Sequence, residues 1–119
     1  MTAQVRSITL HASAAETATG NSADTPEIPS DGPGVAYLDV TASAGTAPTL
    51  DVTIEALDVL SGKYFVIATF AQKVTTGVER ITTGLVDLPD AVLRAVWTIT
   101  GSAGQSFTFT VGLVLKDRG

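Results

Sequence analysis

The sequence predicts an all-β protein: an antiparallel β-sandwich of about seven or eight short strands, with a jelly-roll or immunoglobulin-like arrangement. Short segments alternate apolar and polar residues, turn-forming residues recur between them, and no segment has the apolar period of an amphipathic helix. The 119 residues are 45% apolar and 16% charged, as expected for one ordinary globular domain.

The chain divides by composition at Gly34. In the first part, residues 1–34, a strand is predicted at residues 5–10 because Ile8 and Leu10 alternate with polar neighbours. Residues 11–34 are acidic, rich in Ala, Ser, Thr and Pro, and contain three prolines that exclude a helix. We expect this stretch to be an extended arm held by a partner, and residues 35–119 to form the β-sandwich domain.

A repeated Leu-Asp-Val-Thr motif, at residues 38–41 and 50–53, predicts two strands of a hairpin joined by a turn-rich segment. If both strands place their even-numbered apolar residues in the core, only a few registers remain. Placing Val40 opposite Val52 avoids setting Asp39 against another carboxylate. We therefore predict the Val40–Val52 pair.

The second half of the chain supplies four further predicted strands. The apolar run at residues 64–70 predicts a central strand covered on both faces, with residues 78–82 as its shorter partner. Residues 92–100 and 107–115 alternate most clearly, with threonines on the outer face, and they are joined by residues 101–105. Trp97 falls on the inner face and is predicted to lie in the core.

Charge and composition exclude several function classes. The net charge is −5, from 12 acidic and 7 basic residues, and the basic residues are scattered, which disfavours nucleic acid and anionic membranes as partners. No segment approaches the ~18 apolar residues of a membrane span. The absence of cysteine excludes disulfides, Cys-based zinc sites and thiol nucleophiles.

No pattern of catalytic residues emerges. His11 is the only histidine, and we expect it to be a solvent-facing residue at a strand end. Asp39, Asp51 and Glu55 would share the outer face of the predicted hairpin, where a solvated surface is favoured over an acid/base pair. The sequence therefore predicts no enzyme, no metal site and no cofactor.

Other candidate sites also lack specific motifs. Asp87 and Asp90 flank Pro89 in a loop whose spacing matches no calcium loop, so turn chemistry is the simpler interpretation. Gly101 and Gly104 lack the spacing of a phosphate-binding loop. The candidate partner contacts are residues of the arm together with Tyr37 on the outer face of its strand: His11, Glu16, Asp24, Pro26, Ile28, Pro29 and Tyr37.

From residue 38 onward, the chain contains several short strand and turn motifs in a fixed order. The Leu-Asp-Val-Thr strand is followed by Gly-Thr-Ala-Pro-Thr at residues 45–49, a second Asp-Val-Thr, Arg-Ala-Val-Trp-Thr at residues 94–98 and Ser-Phe-Thr-Phe at residues 106–109. This series resembles small structural proteins of tailed bacteriophages over about 80 residues, and excludes the arm. These motifs are structural and carry no chemistry.

The resemblance implies a capsid decoration (cement) protein. Such a protein would bind the major capsid protein on the capsid exterior of the virion, after assembly in the host cytoplasm, and would associate with itself as a homotrimer. Two alternatives remain open. The chain could be a carbohydrate-binding or adhesin-like β-sandwich module that uses exposed loops, or a head–tail or tail component.

Overall fold

The computed structural model of the chain describes residues 4–26, 34–58, 60–83 and 92–117. Their regular structure is entirely β, in agreement with the predicted fold class. The six strands are β1 (Gln4–Glu16), β2 (Gly20–Asn21), β3 (Val35–Asp58), β4 (Lys63–Thr69), β5 (Gly77–Thr82) and β6 (Leu93–Asp117).

The two long strands, β3 and β6, form the framework of the molecule. They pair antiparallel from Val35↔Val114 to Ala56↔Leu93. A straight strand of this length would extend roughly 80 Å, whereas the longest dimension of the molecule is 52 Å. The paired strands therefore have to bend, and their register shifts fall in the middle, between residues 40 and 49 of β3.

The bend divides the hydrogen-bonded sheet into two halves. Sheet I contains β1, residues 106–117 of β6, residues 35–44 of β3, and β5, in that order. Sheet II contains β2, residues 93–100 of β6, residues 49–58 of β3, and β4. Two four-stranded layers built on one folded hairpin constitute a jelly roll, which decides against the immunoglobulin-like alternative.

A left-handed backbone makes the bend possible. Gly45 has a φ of 103°, and a Cβ at this position would lie 2.6 Å from the Cα of Gln105 on β6. Only glycine satisfies both the conformation and the close approach. The segment Gly-Thr-Ala-Pro-Thr is thus a corner within a strand, and not the reversal of a hairpin.

The inner faces of both sheets pack into one core. On either side of the corner, every second residue of β3 and β6 is buried, and the Trp97 ring from sheet II meets the Phe109 ring from sheet I with their centroids 5.5 Å apart. The predicted core position of Trp97, now 5% exposed, is confirmed. The strand alternation read from the sequence therefore identifies the core correctly.

The predicted hairpin with Val40 opposite Val52 is wrong. Val40 lies opposite Phe109 and Val52 lies opposite Trp97, because the two repeats occupy the two halves of β3. The physical reason is the corner at Gly45, which bends β3 without reversing it, so that β6 pairs with both repeats. Asp39 faces Thr110, Asp51 faces Thr98 and Glu55 faces Arg94, so like charges stay apart.

The predicted pairing of residues 64–70 with 78–82 is also wrong. β4 is an edge strand of sheet II bound to β3, and β5 is an edge strand of sheet I bound to residues 35–40 of β3. Because β4 is not covered on both faces, Phe65 and Val66 are 41% and 51% exposed. The segment between β4 and β5 crosses from one sheet to the other.

The described part of the expected arm, residues 11–26, is bound by the chain itself. Residues 11–16 continue β1 along β6, and residues 20–21 form β2. The division of the chain at residue 34 stays a prediction, and residues 27–33 lie outside the described residues.

Candidate interaction site

The sheet edge formed by β1 and residues 17–26 contains most of the predicted partner contacts. β1 carries two register shifts, between Thr9 and His11 and between His11 and Ala14. A bulge adds a residue on one strand and so changes which face the following side chain occupies. As a result Leu10 and His11, although adjacent in sequence, are both buried.

His11 is therefore not the solvent-facing residue that the sequence predicts. Its side chain is 8% exposed and lies between the two sheets. The imidazole stacks on the Phe109 ring, with a centroid distance of 4.3 Å and an interplanar angle of 14°, and it meets the Trp97 ring edge-on at 4.8 Å. The bulge is the physical cause of the error, because simple alternation cannot anticipate it.

Both ring nitrogens of His11 have polar partners. Nδ1 lies 2.9 Å from the carbonyl oxygen of Phe109, and Nε2 lies 2.9 Å from Oε2 of Glu16. Close by, the indole Nε1 of Trp97 donates to the carbonyl oxygen of Ala18 at 3.1 Å. These bonds attach the end of β1 and the following turn to β6.

Three hydroxyl side chains hold residues 19–25 against the free edge of β6. Thr19, Ser22 and Thr25 accept hydrogen bonds from the backbone N–H groups of Ile99, Ala95 and Leu93, at 3.1, 2.8 and 3.0 Å. In return, the backbone N–H groups of Ser22 and Thr25 donate to the carbonyl oxygens of Ala95 and Leu93, respectively. The Ser and Thr residues of this stretch led us to predict an extended arm. In the structure, three of them instead bind the backbone of β6 at the edge of sheet II.

A groove of about 320 Å³ opens between the sheets at this edge. One wall is formed by Ile8, Thr9 and Leu10 of β1, and the other by residues 23–26. Asp24 and Pro26, two of the predicted contacts, lie in that second wall. No aromatic ring is among the described residues that line the groove.

A polar network crosses the outer face of sheet II. Arg94 of β6 binds Glu55 of β3 with its Nη2 2.8 Å from Oε1, and its guanidinium lies 3.5 Å from the centroid of the Tyr64 ring. The Tyr64 hydroxyl donates to Oδ2 of Asp24 at 2.6 Å. This bond to Asp24 is the main cause of a raised pKa of Tyr64, followed by burial and the negative charge of Asp24.

This network was not predicted from the sequence. The alternation in β3 and β6 does place Glu55 and Arg94 on outer faces, but only the correct register sets them opposite each other. Asp39 lies on sheet I, away from Asp51 and Glu55 on sheet II, so the shared carboxylate face of the predicted hairpin does not exist. Asp51 accepts a hydrogen bond from Gln72 at 3.0 Å.

Tyr37 lies on the outer face of sheet I and is half-buried. Its ring covers Gly112, where a Cβ would lie 2.7 Å from the nearest ring atom. The structure thus brings His11, Glu16, Asp24 and Pro26 to one edge and leaves Tyr37 on a separate surface. Ile28 and Pro29, like Asp87 and Asp90, lie outside the described residues.

Within residues 4–26, 34–58, 60–83 and 92–117, no group of three or more His, Cys, Asp or Glu side chains is arranged to hold a metal ion. Among the described residues there is no helix of the length and apolarity that crossing a membrane requires. At the β1 edge, the side chains of His11, Thr19, Ser22 and Thr25 form hydrogen bonds to the backbone of β6.

Comparison with known proteins identifies relatives of the fold alone. No protein-family model matches the chain, and no curated protein sequence matches it. Solved structures do match: the infectious bursal disease virus Gx strain (TM-score 0.68), the VP2 subviral particle of the same virus (0.67) and T=1 particles derived from a mutant VP2 protein (0.62). All three share 14% sequence identity with the chain and cover 98% of it.

The chain spans about a third of the length of these proteins, namely 32%, 33% and 32%. At this identity the likeness concerns the arrangement of strands. The chain therefore has a jelly-roll fold similar to that of a domain-sized part of VP2.

Proposed function

We propose that the chain is a structural protein of a virus particle, which acts through protein contacts and not through catalysis. The observation that carries the proposal is the match of 98% of the chain to proteins of virus particles, at a TM-score of 0.68. The motif resemblance to phage structural proteins supports the same role independently.

The surface of the described residues agrees with such a role. An acidic chain with a net charge of −5 stays soluble before assembly. The outer face of sheet II carries the linked polar side chains of Arg94, Glu55 and Tyr64 beside the exposed Val66. Mixed surfaces of this kind suit the many moderate contacts of a protein interface.

The finer proposal is capsid decoration. In this role the chain binds the major capsid protein on the capsid exterior as a homotrimer and reinforces the shell. The edge containing Asp24 and Pro26 is the contact surface that we assign to this role, because the groove there is open and apolar.

Addition of the purified chain to shells that lack it tests this role. A decoration protein binds at a fixed copy number and raises the temperature at which the shell opens. Within the groove, Pro26→Ala, at an exposed position, is expected to weaken binding, whereas Val66→Ala, on the exposed edge of β4, serves as the control. Shells that open at the same temperature with and without the protein would contradict the decoration role.

Separate outcomes identify the alternatives. Recovery of the protein only with tails indicates a head–tail or tail component. Selective binding on a glycan array, lost in Tyr37→Ala, indicates a carbohydrate-binding module.

A further inference from the structure

The β4 turn, residues 60–62 immediately before β4, presents a leucine to solvent. Leu60 is 95% exposed, more than any other large apolar side chain in the described part of the chain. The side chain is not part of the core, so the free energy gained by burying it is still available to a partner.

Hydrogen bonds hold Leu60 in a fixed position. Asp58 accepts from the N–H of Leu60 with Oδ1 at 3.1 Å and from the hydroxyl of Ser61 with Oδ2 at 2.8 Å. The carbonyl oxygen of Asp58 accepts from the N–H of Gly62 at 2.7 Å, and Gly62 has a φ of 71°. A side chain presented on such an ordered turn loses little backbone freedom when it binds.

The groove beside β1 matches this leucine in size and polarity. Ile8 and Leu10 form one wall, and Ala23 and Pro26 lie in the other wall at exposed positions. A cavity of ~150 Å³ lined by apolar side chains holds a molecule as large as benzene. The groove, at about 320 Å³, therefore has room for a leucine side chain and part of the turn that carries it.

The charges beside the two surfaces are complementary. Lys63, next to the β4 turn, and Asp24, in the wall of the groove, are both exposed. Among the described residues neither takes part in an ion pair, and Asp24 accepts from the neutral hydroxyl of Tyr64. Asp58, the other charged residue beside the turn, is engaged in the hydrogen bonds of the turn itself. Lys63 is thus attracted to the groove and not repelled by it.

The turn and the groove lie on opposite edges of sheet II. The turn leads into β4 at one edge, whereas residues 20–25 bind β6 at the other. Four strands at the usual spacing separate these edges by roughly 14 Å. The exposed Leu60 therefore does not occupy the groove of its own chain, and a second copy can bring its turn to that groove.

We propose that Leu60 of one copy inserts into the groove of the next copy, with Lys63 beside Asp24 of that neighbour. Such a contact joins two different surfaces, so its repetition closes a ring. The proposal rests on the proposed function for one point, that the ring has three copies. Binding to the shell then depends on the groove because the groove assembles the ring.

Sedimentation equilibrium of the purified full chain tests the contact without any particle. The wild-type chain is expected to associate as its concentration rises. Leu60→Ala is expected to weaken the association by about 10- to 100-fold, the effect of losing one buried leucine side chain. Val78→Ala, at a position on β5 that is 69% exposed, is the control and keeps the wild-type association. Thermal unfolding checks that both variants are folded.

A mixture of two variants makes the test specific to this pair of surfaces. Leu60→Asp removes the apolar side chain of the turn and leaves the groove intact. Ala23→Arg fills the groove from an exposed position and leaves the turn intact. Each variant alone is expected to stay monomeric. Their equimolar mixture is expected to form a one-to-one dimer, because one intact turn meets one intact groove.

Three results would overturn the contact: a wild-type chain that stays monomeric at every concentration, wild-type association in Leu60→Ala, or a mixture that forms no dimer. These results concern the contact between copies and leave the role in a particle to be tested separately. Conversely, a chain that associates as expected but is absent from particles would contradict the proposed function and retain the contact.

Discussion

Gly34 illustrates how closely single residues of this protein are packed. Its backbone N–H donates to the Thr83 hydroxyl at 2.7 Å, and its carbonyl oxygen accepts from the Thr83 N–H at 2.9 Å. A Cβ at Gly34 would overlap the carbonyl oxygen of Val114. Because that oxygen belongs to the backbone of β6, it cannot rotate aside.

Gly34→Ala is therefore expected to destabilise the protein by about 1–3 kcal/mol, the usual cost of overpacking. Gly77→Ala is the matched control, since its added methyl group would lie 3.9 Å from the nearest atom, the Cδ of Lys73. Urea unfolding of both variants measures the difference. If the two variants were equally stable, the prediction would be wrong, and the backbone of β6 at Val114 would have to move away from the added methyl group.

The titration of Tyr64 is a second test at this scale. Because the neutral phenol donates to Asp24, the folded protein holds the pKa of Tyr64 above its ordinary value of 10.0. The contact is intact below that ordinary value, and it is lost as the pH rises through the higher pKa of the folded state. Residues around Asp24 then lose one of their attachments to sheet II.

Ultraviolet absorbance of the ionised phenol measures this titration, and Tyr64→Phe identifies which step belongs to Tyr64. Asp24→Ala is expected to lower the pKa of Tyr64 because it removes both the hydrogen bond and the negative charge. Asp39→Ala, on sheet I, is the control. An unchanged titration in Asp24→Ala would contradict the contact.

At the scale of elements, residues 17–26 show how a short strand is extended by side chains. β2 itself has two residues, Gly20 and Asn21. On either side of it, hydroxyl groups of Thr19, Ser22 and Thr25 take the place of carbonyl oxygens along β6. Serine and threonine often compete for backbone partners in this way.

Thr25→Val retains the shape of the side chain and removes the acceptor for the N–H of Leu93. We expect it to lower the free energy of unfolding by about 1 kcal/mol, the typical contribution of one hydrogen bond. Thr17→Val, at an exposed position of the same segment, is the control. A Thr25→Val protein as stable as the control would indicate that water serves the Leu93 N–H equally well.

The elements also show what the sequence could and could not predict. Alternation located the inner residues of β3 and β6 and the first half of β1, because burial of one face imposes a period of two, but it missed residues 11–16 of β1 and all of β2. The alternation could not predict which strands pair with each other, because a corner within a strand, as at Gly45, and a hairpin turn use the same residue types. The burial of His11 depends on a bulge, which leaves no local signal in the sequence.

At the scale of the whole molecule, stability depends on contact between the two sheets. Phe109 is fully buried and touches both His11 and Trp97, so it joins sheet I to sheet II and to the end of β1. The two sheets share one core, and the protein is expected to unfold as a single cooperative unit.

Phe109→Ala is expected to cost about 3–5 kcal/mol, as for other buried phenylalanines. It also frees the stacked face of the His11 ring. Val66→Ala, at a position that is 51% exposed, is expected to change stability by less than about 0.5 kcal/mol. Thermal or chemical unfolding compares the two, and a small effect of Phe109→Ala would mean that the sheets are held together elsewhere.

The role in a virus particle is the central claim at this scale. Quantitative mass spectrometry of particles purified from lysates of the organism that carries the gene tests it most directly. We predict that the chain co-purifies with intact particles at a fixed ratio to the major shell protein and remains bound after density-gradient washing. Its absence from such particles, while it is abundant in the same lysate, would contradict the claim.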